Sequence, residues 1–570
     1  MLFYIMHLFV QWIITISDEH QSPRTERKDI VPEKDKQDSK NRKATRSTRI
    51  VGAAVMVSRV FGLVREKVIA YYFSAGIAGD AFYAAFRIPN LFRDLFAEGA
   101  LSKAFVTTFM DTDHKDGEEA AWRLANIIFT LTALFLTGFT IIGIVITPVI
   151  VDWMFAGKGF ELSLDPSEWY GFTSKRELTI FLARIMFPFL LLVSLAAIAM
   201  GLLNSRGRFG IPALSSAFFN VGSLALGVIG YYIAPGFDLP PVTGMAVGVL
   251  FGGFLQFAVQ IPSMRATGFR FRPDFHFRDA RVRQVLRLML PALLGVAAIQ
   301  INVFVNSIFA SQGEGWLTWI NRAFRLVHLP IGVFGVAIST VALPNLARLI
   351  AENDLDGYRA AFSHAMRLMF FLTIPATIGL MLLAEPICGL LFEGGKATSF
   401  DTRQIAAALQ WYALGLVGYS AMKIITDGFY AFQDTRTPVL VSLLTVSINI
   451  VLNYVFIFHF HFDHRSLALA TTCTVTLNAV ILLILLRRRA VRLNFSAAGR
   501  LLLRIIPAAT ALALAILGTR HGLRLVFDEP GMLRYLLHVL VPVLAGGSVY
   551  FVICKLFKIK ELDELLQRGS

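Results

Sequence analysis

Long apolar runs recur from residue 50 to residue 557 of this chain. Each run has about 20 or more residues, which is enough for a helix to cross a hydrocarbon core of about 30 Å. The composition agrees, because 55% of the residues are hydrophobic and only 16% are charged. Soluble proteins carry about 25% charged residues, so this chain could not cover a soluble surface. The sequence therefore predicts an all-α integral membrane protein.

The apolar runs divide into about 14 transmembrane segments. They lie near 50–73, 77–107, 121–151, 178–203, 211–233, 242–264, 285–310, 316–344, 360–392, 403–432, 438–459, 466–486, 500–519 and 535–556. Because the connections between them are short, we expect no sizeable domain outside the membrane.

A faint internal repeat indicates two homologous lobes. The sequence Ala85-Phe86-Arg87-Ile88 recurs 238 residues later as Ala323-Phe324-Arg325-Leu326. Two related halves are common in transporters whose binding site lies between the lobes. We expect two pseudo-symmetric six-helix lobes plus two C-terminal helices. The predicted parts are a charged extension without a core at 1–46, an N-lobe at 47–264, a basic linker at 265–284, a C-lobe at 285–490, and spans 13 and 14 with a tail at 491–570.

Basic residues are concentrated in alternate connections, which predicts the orientation in the membrane. Two outer loops, at 175–176 and 520–524, are basic exceptions, and the inner loop at 111–119 is acidic. With 14 spans, both termini then face the cytoplasm. The net charge of +15 is explained by these loops, so we expect no nucleic-acid partner. The main basic segments are the tail at 42–49, the connection at 265–287, the one at 487–492 and the C-terminal end at 555–560.

Motifs for nucleotide hydrolysis and metal binding are absent from the sequence. It contains no G-x-x-x-x-G-K-[ST] and no H-E-x-x-H. Its three cysteines, Cys388, Cys473 and Cys554, are too far apart to predict a metal site or a disulfide framework. We expect a transporter that does not hydrolyse nucleotides and that has no cofactor.

Charged residues within the membrane are concentrated in the first two spans. Arg59 and Glu66 fall within about 20° of one helix face, whereas Arg65 points about 120° away. In the second span, Pro89 predicts a break that would let Arg93 join the same cavity. If that helix is continuous, one stripe contains Asp80, Arg87, Asp94 and Glu98.

These charges have two interpretations. Arginines near helix ends can extend to the headgroups or form internal ion pairs. An excess of intramembrane guanidinium groups instead favours an anionic ligand such as phosphate or carboxylate. In the second half, Arg325 with Arg322 and His328 forms a weaker counterpart. On span seven, Asn306 is a candidate for a monovalent cation site, with ordinary hydrogen bonding as the alternative.

Several motifs carry a resemblance to a known family. One is Ser58-Arg59-Val-Phe-Gly62-Leu-Val-Arg65-Glu66, followed by Gly79-Asp80-Ala-Phe82 and Pro89-Asn90-Leu-Phe-Arg93-Asp-Leu-Phe96-Ala-Glu98-Gly99-Ala100. Others are Arg325-Leu-Val-His-Leu-Pro330, Leu391-Phe392-Glu393-Gly394-Gly395 and Asp434-Thr435-Arg436-Thr437-Pro438. From about residue 47 to its end, the chain resembles the MurJ/MviN lipid II flippases. That family belongs to the multidrug, oligosaccharidyl-lipid and polysaccharide exporter superfamily.

The resemblance implies a two-lobed flippase in the bacterial inner membrane. Its substrate would be lipid II, the undecaprenyl-pyrophosphate-linked peptidoglycan precursor, moved to the outer leaflet by alternating access. Spans 13 and 14 would hold the lipid tail, and further partners would be membrane lipid and the cell-wall synthesis machinery. The family's cavity charges correspond to Arg59, Arg65, Asp80, Arg93 and Arg325, and further candidates are Glu66, Arg87, Asn90 and Glu98.

The chain also departs from the family pattern. Residues 1–46 have no counterpart, Phe324 stands where relatives have an acidic or amide residue, and Asn306 stands where a sodium site would supply an acid. The alternative functions are a flippase for another polyprenyl-linked saccharide and a multidrug exporter. A third is an enzyme that transfers sugar or phosphate on a polyprenyl carrier, which would need the carboxylates of the loop at 111–119.

Overall fold

The computed structural model describes residues 52, 54, 56–96, 100–489, 496–527 and 531–567. These residues are helical apart from loops and two isolated β-bridges, so the predicted all-α class is confirmed. They form two compact units, 52–318 and 319–567. The predicted linker at 265–284 lies inside the N-terminal unit, and the predicted extension at 1–46 lies outside the described residues.

The N-terminal unit begins with a helix at 56–72, here named α1. Its other helices are α2 (Ile77–Phe96), α3 (Ala100–Asp116), α4 (Glu118–Met154), α5 (Lys175–Met186), α6 (Phe189–Ser205), α7 (Gly210–Ile233), α8 (Val242–Ala258), α9 (Ile261–Arg265) and α10 (Ala280–Ala310).

The C-terminal unit begins within α11 (Trp316–Pro330). Its other helices are α12 (Val336–Ala351), α13 (Leu355–Leu382), α14 (Ala384–Phe392), α15 (Ser399–Leu414), α16 (Leu416–Ala431), α17 (Arg436–Tyr454), α18 (Arg465–Arg489), α19 (Ser496–Val526), α20 (Met532–Leu556) and α21 (Lys560–Gln567).

Ten helices among the described residues are long and apolar enough to cross a membrane, or eleven if the bent pair α15 and α16 is one span. The predicted count of 14 is not confirmed by length and composition of the described residues, and the predicted spans without a counterpart among these helices are 1, 2 and 7. For span 2 the reason is charge, because Asp80, Arg87, Arg93 and Asp94 all lie in the 20 residues of α2. Predicted span 7 lies within the continuous helix α10, of which Gln300–Ala310 is the apolar part with described side chains.

The second predicted span also differs in shape. Helix α2 continues through Pro89 without interruption, so the predicted break is wrong. A proline removes one backbone hydrogen bond, and the rest of the helix keeps the remaining ones. Residues 100–107, predicted as the end of this span, instead begin the separate helix α3.

Glycines allow α7 and α8 to pack closely. A methyl group added at Gly230 would lie 2.6 Å from Cα of Gly244, and one added at Gly252 would lie 2.6 Å from the carbonyl oxygen of Phe219. Gly244, Gly248 and Gly252 recur every fourth residue on α8, so they share one face. Such small-residue faces let membrane helices approach backbone to backbone.

The last two long helices pack into the C-terminal unit. Leu512 and Ile516 of α19 and Tyr550 of α20 are buried in its core. The Tyr550 hydroxyl donates a hydrogen bond to the carbonyl oxygen of Phe371 on α13, at 3.0 Å. Predicted spans 13 and 14 are therefore joined to the C-lobe helices through buried contacts.

Asp434 stabilises the connection between α16 and α17. Its carboxylate accepts hydrogen bonds from the backbone N–H of Arg436 at 3.1 Å and from the backbone N–H of Thr437 at 3.0 Å, and it also pairs with Arg489. Burial opposes ionisation of this carboxyl, but the hydrogen bonds and the guanidinium outweigh it, so the pKa of Asp434 lies below its usual value.

Candidate functional site

Arg65 and Glu66 form a buried cluster with Tyr83. The carboxylate of Glu66 accepts a hydrogen bond from the Tyr83 hydroxyl at 2.6 Å and one from Nη2 of Arg65 at 3.3 Å. The Arg65 guanidinium lies 5.2 Å from the ring centroid of Phe219 on α7, in cation–π range. Both charged side chains are buried, so this cluster links α1 to α2 and α7.

Arg59 lies two turns earlier on α1 and is half-buried. Next to it, the Ser58 hydroxyl accepts a hydrogen bond from Ser216 at 2.8 Å, and its carbonyl accepts one from Asn220 at 3.3 Å. These bonds hold this part of α1 against α7. Among the residues that the structure describes, Arg59 has no acidic partner within ion-pairing distance.

Asp80 is fully buried at the start of α2 and accepts four hydrogen bonds or ion pairs. Its Oδ2 is 2.8 Å from Nζ of Lys175 and 2.7 Å from the backbone nitrogen of Gly315. Its Oδ1 accepts from the backbone N–H and the hydroxyl of Thr318, at 3.0 and 2.7 Å. A carboxylate with four donors has no vacant position for a ligand, which is the geometry of a structural ion pair.

The sequence does not identify Lys175 as the partner of Asp80, because it predicts an outer loop at 175–176. Its side chain is fully buried, and its ammonium also donates to the carbonyl oxygen of Gly159 at 2.9 Å and lies 4.5 Å from the ring centroid of Phe160. The available signal was Ser174, which begins α5 by accepting a hydrogen bond from the backbone of Glu177. That cap turns residue 175 into the first residue of a helix.

Arg93 and Asp94 form a half-buried pair at the end of α2. Two nitrogens of the Arg93 guanidinium donate to Oδ1 of Asp94, at 3.1 and 2.7 Å. Nε2 of Gln300 on α10 donates to Oδ2 of Asp94 at 3.3 Å. Predicted residue Arg87 is half-buried in the same helix, and Glu98 lies outside the described residues.

Asn90 is a further candidate on α2. Its side-chain carbonyl oxygen is buried and has no hydrogen-bond donor among the residues that the structure describes. An unpaired buried amide oxygen costs about 1–3 kcal/mol, so this position favours a polar ligand or water.

In the C-terminal unit, Arg325 of α11 is half-buried, whereas Arg322, one turn earlier, is fully buried. The Arg322 guanidinium lies 5.8 Å from the ring centroid of Phe392. His328 is exposed, and its ring is 4.1 Å from that of Phe324.

The polar residues of span seven bond to each other. Nδ2 of Asn306 donates to Oδ1 of Asn302, one turn earlier on α10, at 2.5 Å. This is the ordinary hydrogen bonding that the sequence left open as an alternative to a cation site. In the described part of the chain, no group of three or more His, Cys, Asp or Glu residues could hold a metal ion.

The acidic segment 111–119, predicted as a loop, instead forms the last turns of α3 and the start of α4, and it is an ion-pair centre of the N-terminal unit. Asp113 accepts two hydrogen bonds from Arg206, each at 3.1 Å, and Asp116 pairs with Arg281 at 3.0 Å. The Arg206 guanidinium also lies 4.3 Å from the ring centroid of Trp122. These carboxylates pair with Arg206, which follows the last residue of α6, and with Arg281 in the first turn of α10.

Solved structures with the same fold are transporters. The chain aligns with an inward-facing multidrug resistance MATE family transporter of the MOP superfamily with a TM-score of 0.63 and 15% identity, covering 77% of this chain and 97% of that one. A structure described as lipid II flippase MurJ in an inward closed conformation matches with a TM-score of 0.72 and 24% identity, covering 90% and 99%. The chain therefore shares its fold with these two solved structures.

The particular family follows from sequence comparison. Residues 69–531 match the family model for lipid II flippase MurJ, and the chain belongs to this family. The lipid II flippase MurJ of Burkholderia cenocepacia is 33% identical over 492 residues, covering 85% of this chain and 91% of the relative. The probable lipid II flippase MurJ of Vibrio cholerae is 36% identical over 417 residues, covering 72% and 77%.

Proposed function

We propose that this protein moves lipid II from the inner to the outer leaflet of the bacterial cytoplasmic membrane, with both of its own termini in the cytoplasm. The observation that carries the proposal is the family match over residues 69–531. The arginines of α1 and α2 supply a chemical reason. A pyrophosphate head group cannot cross hydrocarbon unaided, whereas the polyprenyl tail can remain in lipid throughout.

The environments of the arginines suggest different roles. Arg59, half-buried and without an acidic partner among the described residues, is the candidate for direct contact with pyrophosphate. Arg93 is held by Asp94, and its 22% exposed side chain can exchange that carboxylate for a ligand oxygen. Arg65, stacked on Phe219 and paired with Glu66, sets the position of α1. Within the C-terminal unit, Arg325 is the candidate for contact with the head group.

Asp80 receives a different role in this proposal. Its four donors and complete burial support a contribution to structure rather than to head-group binding. Asn90, with its unpaired carbonyl oxygen on α2, is a better candidate for the sugar or peptide part of the head group.

Transport without nucleotide hydrolysis is part of the proposal, since the chain has no P-loop sequence. Coupling to a monovalent cation at Asn306 would require its amide to leave Asn302. A flippase for another polyprenyl-linked saccharide is the second candidate, because Arg59 and Arg93 would bind the same pyrophosphate in either substrate.

The test measures lipid II in each leaflet of cells depleted of this protein. Wild type, Arg59→Ala and Arg348→Ala are added back at matched abundance. Arg348→Ala is the control because Arg348 is exposed and pairs only weakly with Glu352, at 3.6 Å. The readout is the fraction of lipid II that an externally added cleaving enzyme can reach.

Depletion should make lipid II inaccessible, and only wild type and Arg348→Ala should restore access. Unchanged access after depletion would refute lipid II as the substrate and move the search to other polyprenyl-linked saccharides. Normal access with Arg59→Ala would refute the role of Arg59 while leaving the substrate assignment intact.

A further inference from the structure

Aromatic and basic residues alternate in an exposed segment of the N-terminal unit, 269–278, between α9 and α10. Its sequence is Phe-Arg-Phe-Arg-Pro-Asp-Phe-His-Phe-Arg. Three of its phenylalanines are exposed: Phe271 by 53%, Phe275 by 62% and Phe277 by 36%. We propose that this segment is a membrane-surface anchor, with these phenylalanines inserted at the lipid interface and the neighbouring arginines bound to anionic headgroups.

The segment is fixed along α4 rather than free in solution. The ring of Phe269 lies 5.6 Å from that of Trp122 and 5.5 Å from that of Phe129. The backbone N–H of Arg272 donates to Oδ1 of Asn126 at 2.9 Å, and the next turn of α4 is bonded to residue 274 in the same way. The segment therefore lies beside residues 122–130 of α4.

The exposure of α4 locates the segment relative to the bilayer. Residues 124, 125 and 127–130 of α4 are buried, whereas large apolar side chains are exposed from Leu134 to Trp153. That stretch is about 29 Å long, which matches the hydrocarbon thickness. Thr130 lies about 6 Å before Leu134, so the segment bonded to it lies at the edge of the hydrocarbon layer. Interfacial aromatic side chains are typical of this depth.

Six arginines of the region have no acidic partner in the part of the chain that the structure describes. Arg265, Arg270, Arg272, Arg278, Arg283 and Arg287 are exposed, and none forms an ion pair with any residue that the structure describes. The two acidic residues nearby are already engaged. Asp274 pairs with Arg123 at 3.3 Å, and Asp279 caps α10 through the backbone of Arg281.

Lipid is the partner that fits this arrangement. A surface for a soluble protein would not need to lie at the level where lipid-exposed side chains begin. Phenylalanines at that level contact acyl chains, and each arginine near an anionic surface adds about fivefold to binding. The inference concerns membrane contact and holds for any cargo of the transporter.

The test uses the full-length protein in vesicles with a fluorescent label at position 275. Cys473 is exposed, whereas Cys388 and Cys554 are buried, so Phe275→Cys is made in a Cys473→Ser background. A bimane label is then quenched by phospholipids brominated either near the headgroup or deep in the acyl chain. Glu168→Cys, in the exposed loop before α5, is the water-facing control, and Leu134→Cys is the lipid-facing control.

We expect lipids brominated near the headgroup to quench the label at position 275 at least about twofold more than the label at position 168. Lipids brominated deep in the acyl chain should quench mainly the label at position 134. Equal quenching at positions 275 and 168 would overturn the anchor. The charge arm compares phosphatidylglycerol with phosphatidylcholine vesicles. In phosphatidylglycerol vesicles, the variant Arg270→Gln/Arg272→Gln/Arg278→Gln should lower the equilibrium constant for binding of this segment to the membrane surface on the order of a hundredfold. No dependence on lipid charge would refute the headgroup contacts and leave a purely aromatic anchor.

Discussion

Removal of one partner from the Asp80–Lys175 pair should destabilise the N-terminal unit strongly. Both side chains are fully buried, and their charged atoms are 2.8 Å apart. Breaking such a pair costs about 3–5 kcal/mol, because the remaining charge stays buried without compensation. In Asp80→Asn, the ammonium of Lys175 keeps the Gly159 carbonyl, the Phe160 ring and at most a neutral amide oxygen. No negative charge then compensates it, so we expect the upper end of this range.

Lys175→Met should cost less than Asp80→Asn. The carboxylate of Asp80 keeps three donors, from Gly315 and Thr318, so its charge remains partly compensated. We expect about 3 kcal/mol for this variant. The double variant should lose less than the sum of the two, since no uncompensated charge remains.

The assay is unfolding of the purified protein in mixed micelles with increasing SDS, followed by tryptophan fluorescence. Arg348→Ala is again the surface control. Losses below about 1 kcal/mol in both single variants would refute the structural role, as would strict additivity in the double variant. Measurement of transport separates the roles further: a stable double variant that still flips lipid II excludes Asp80 as a substrate ligand.

Three further outcomes follow from local geometry. Gly230→Ala should destabilise the protein by about 1–3 kcal/mol in the same unfolding assay, because its Cβ would lie 2.6 Å from the Gly244 backbone. Arg206→Lys should cost about 1–2 kcal/mol, since an ammonium cannot reproduce the paired hydrogen bonds to Asp113; a loss equal to that of an exposed arginine would contradict this. Asp434 has a lowered pKa in the folded chain, so its stabilisation holds above about pH 4 and is lost as the pH falls through the folded pKa. Asp434→Asn should remove that acid dependence from the unfolding midpoint.

Hydropathy was sufficient to predict the helices that face lipid, because their apolar length is set by the bilayer. Hydropathy alone does not identify the charged helix α2 as a span. The break predicted at Pro89 is wrong, because the helix continues through a residue that usually interrupts it. A single proline costs a few kcal/mol, and contacts between α2 and its neighbours can compensate for that loss. Local sequence does not report such contacts.

The site was only partly predictable for a similar reason. The types and positions of Arg59, Arg65 and Arg93 are visible in the sequence, but their partners depend on tertiary structure. In the sequence, Asp80 has the pattern of a cavity charge, whereas its partner Lys175 lies 95 residues further on, at a position predicted as a loop. Charge balance within a membrane protein is a property of the packed helices, so a count along one helix underestimates it.

In each of the two units, a buried contact joins the start of one helix to the start of a later one. Helix α5 begins at the cap Ser174, and helix α15 begins at the cap Thr398. In the N-terminal unit, the first residue after the cap is Lys175, which binds the carboxylate of α2. In the C-terminal unit, Asp401 of α15 accepts a hydrogen bond from the indole of Trp319 on α11, at 2.8 Å. At the repeat offset of 238, α11 corresponds to α2, so in both units the start of this helix is tied to the start of a later one. The contact is an ion pair in the N-terminal unit and an indole–carboxylate hydrogen bond in the C-terminal unit.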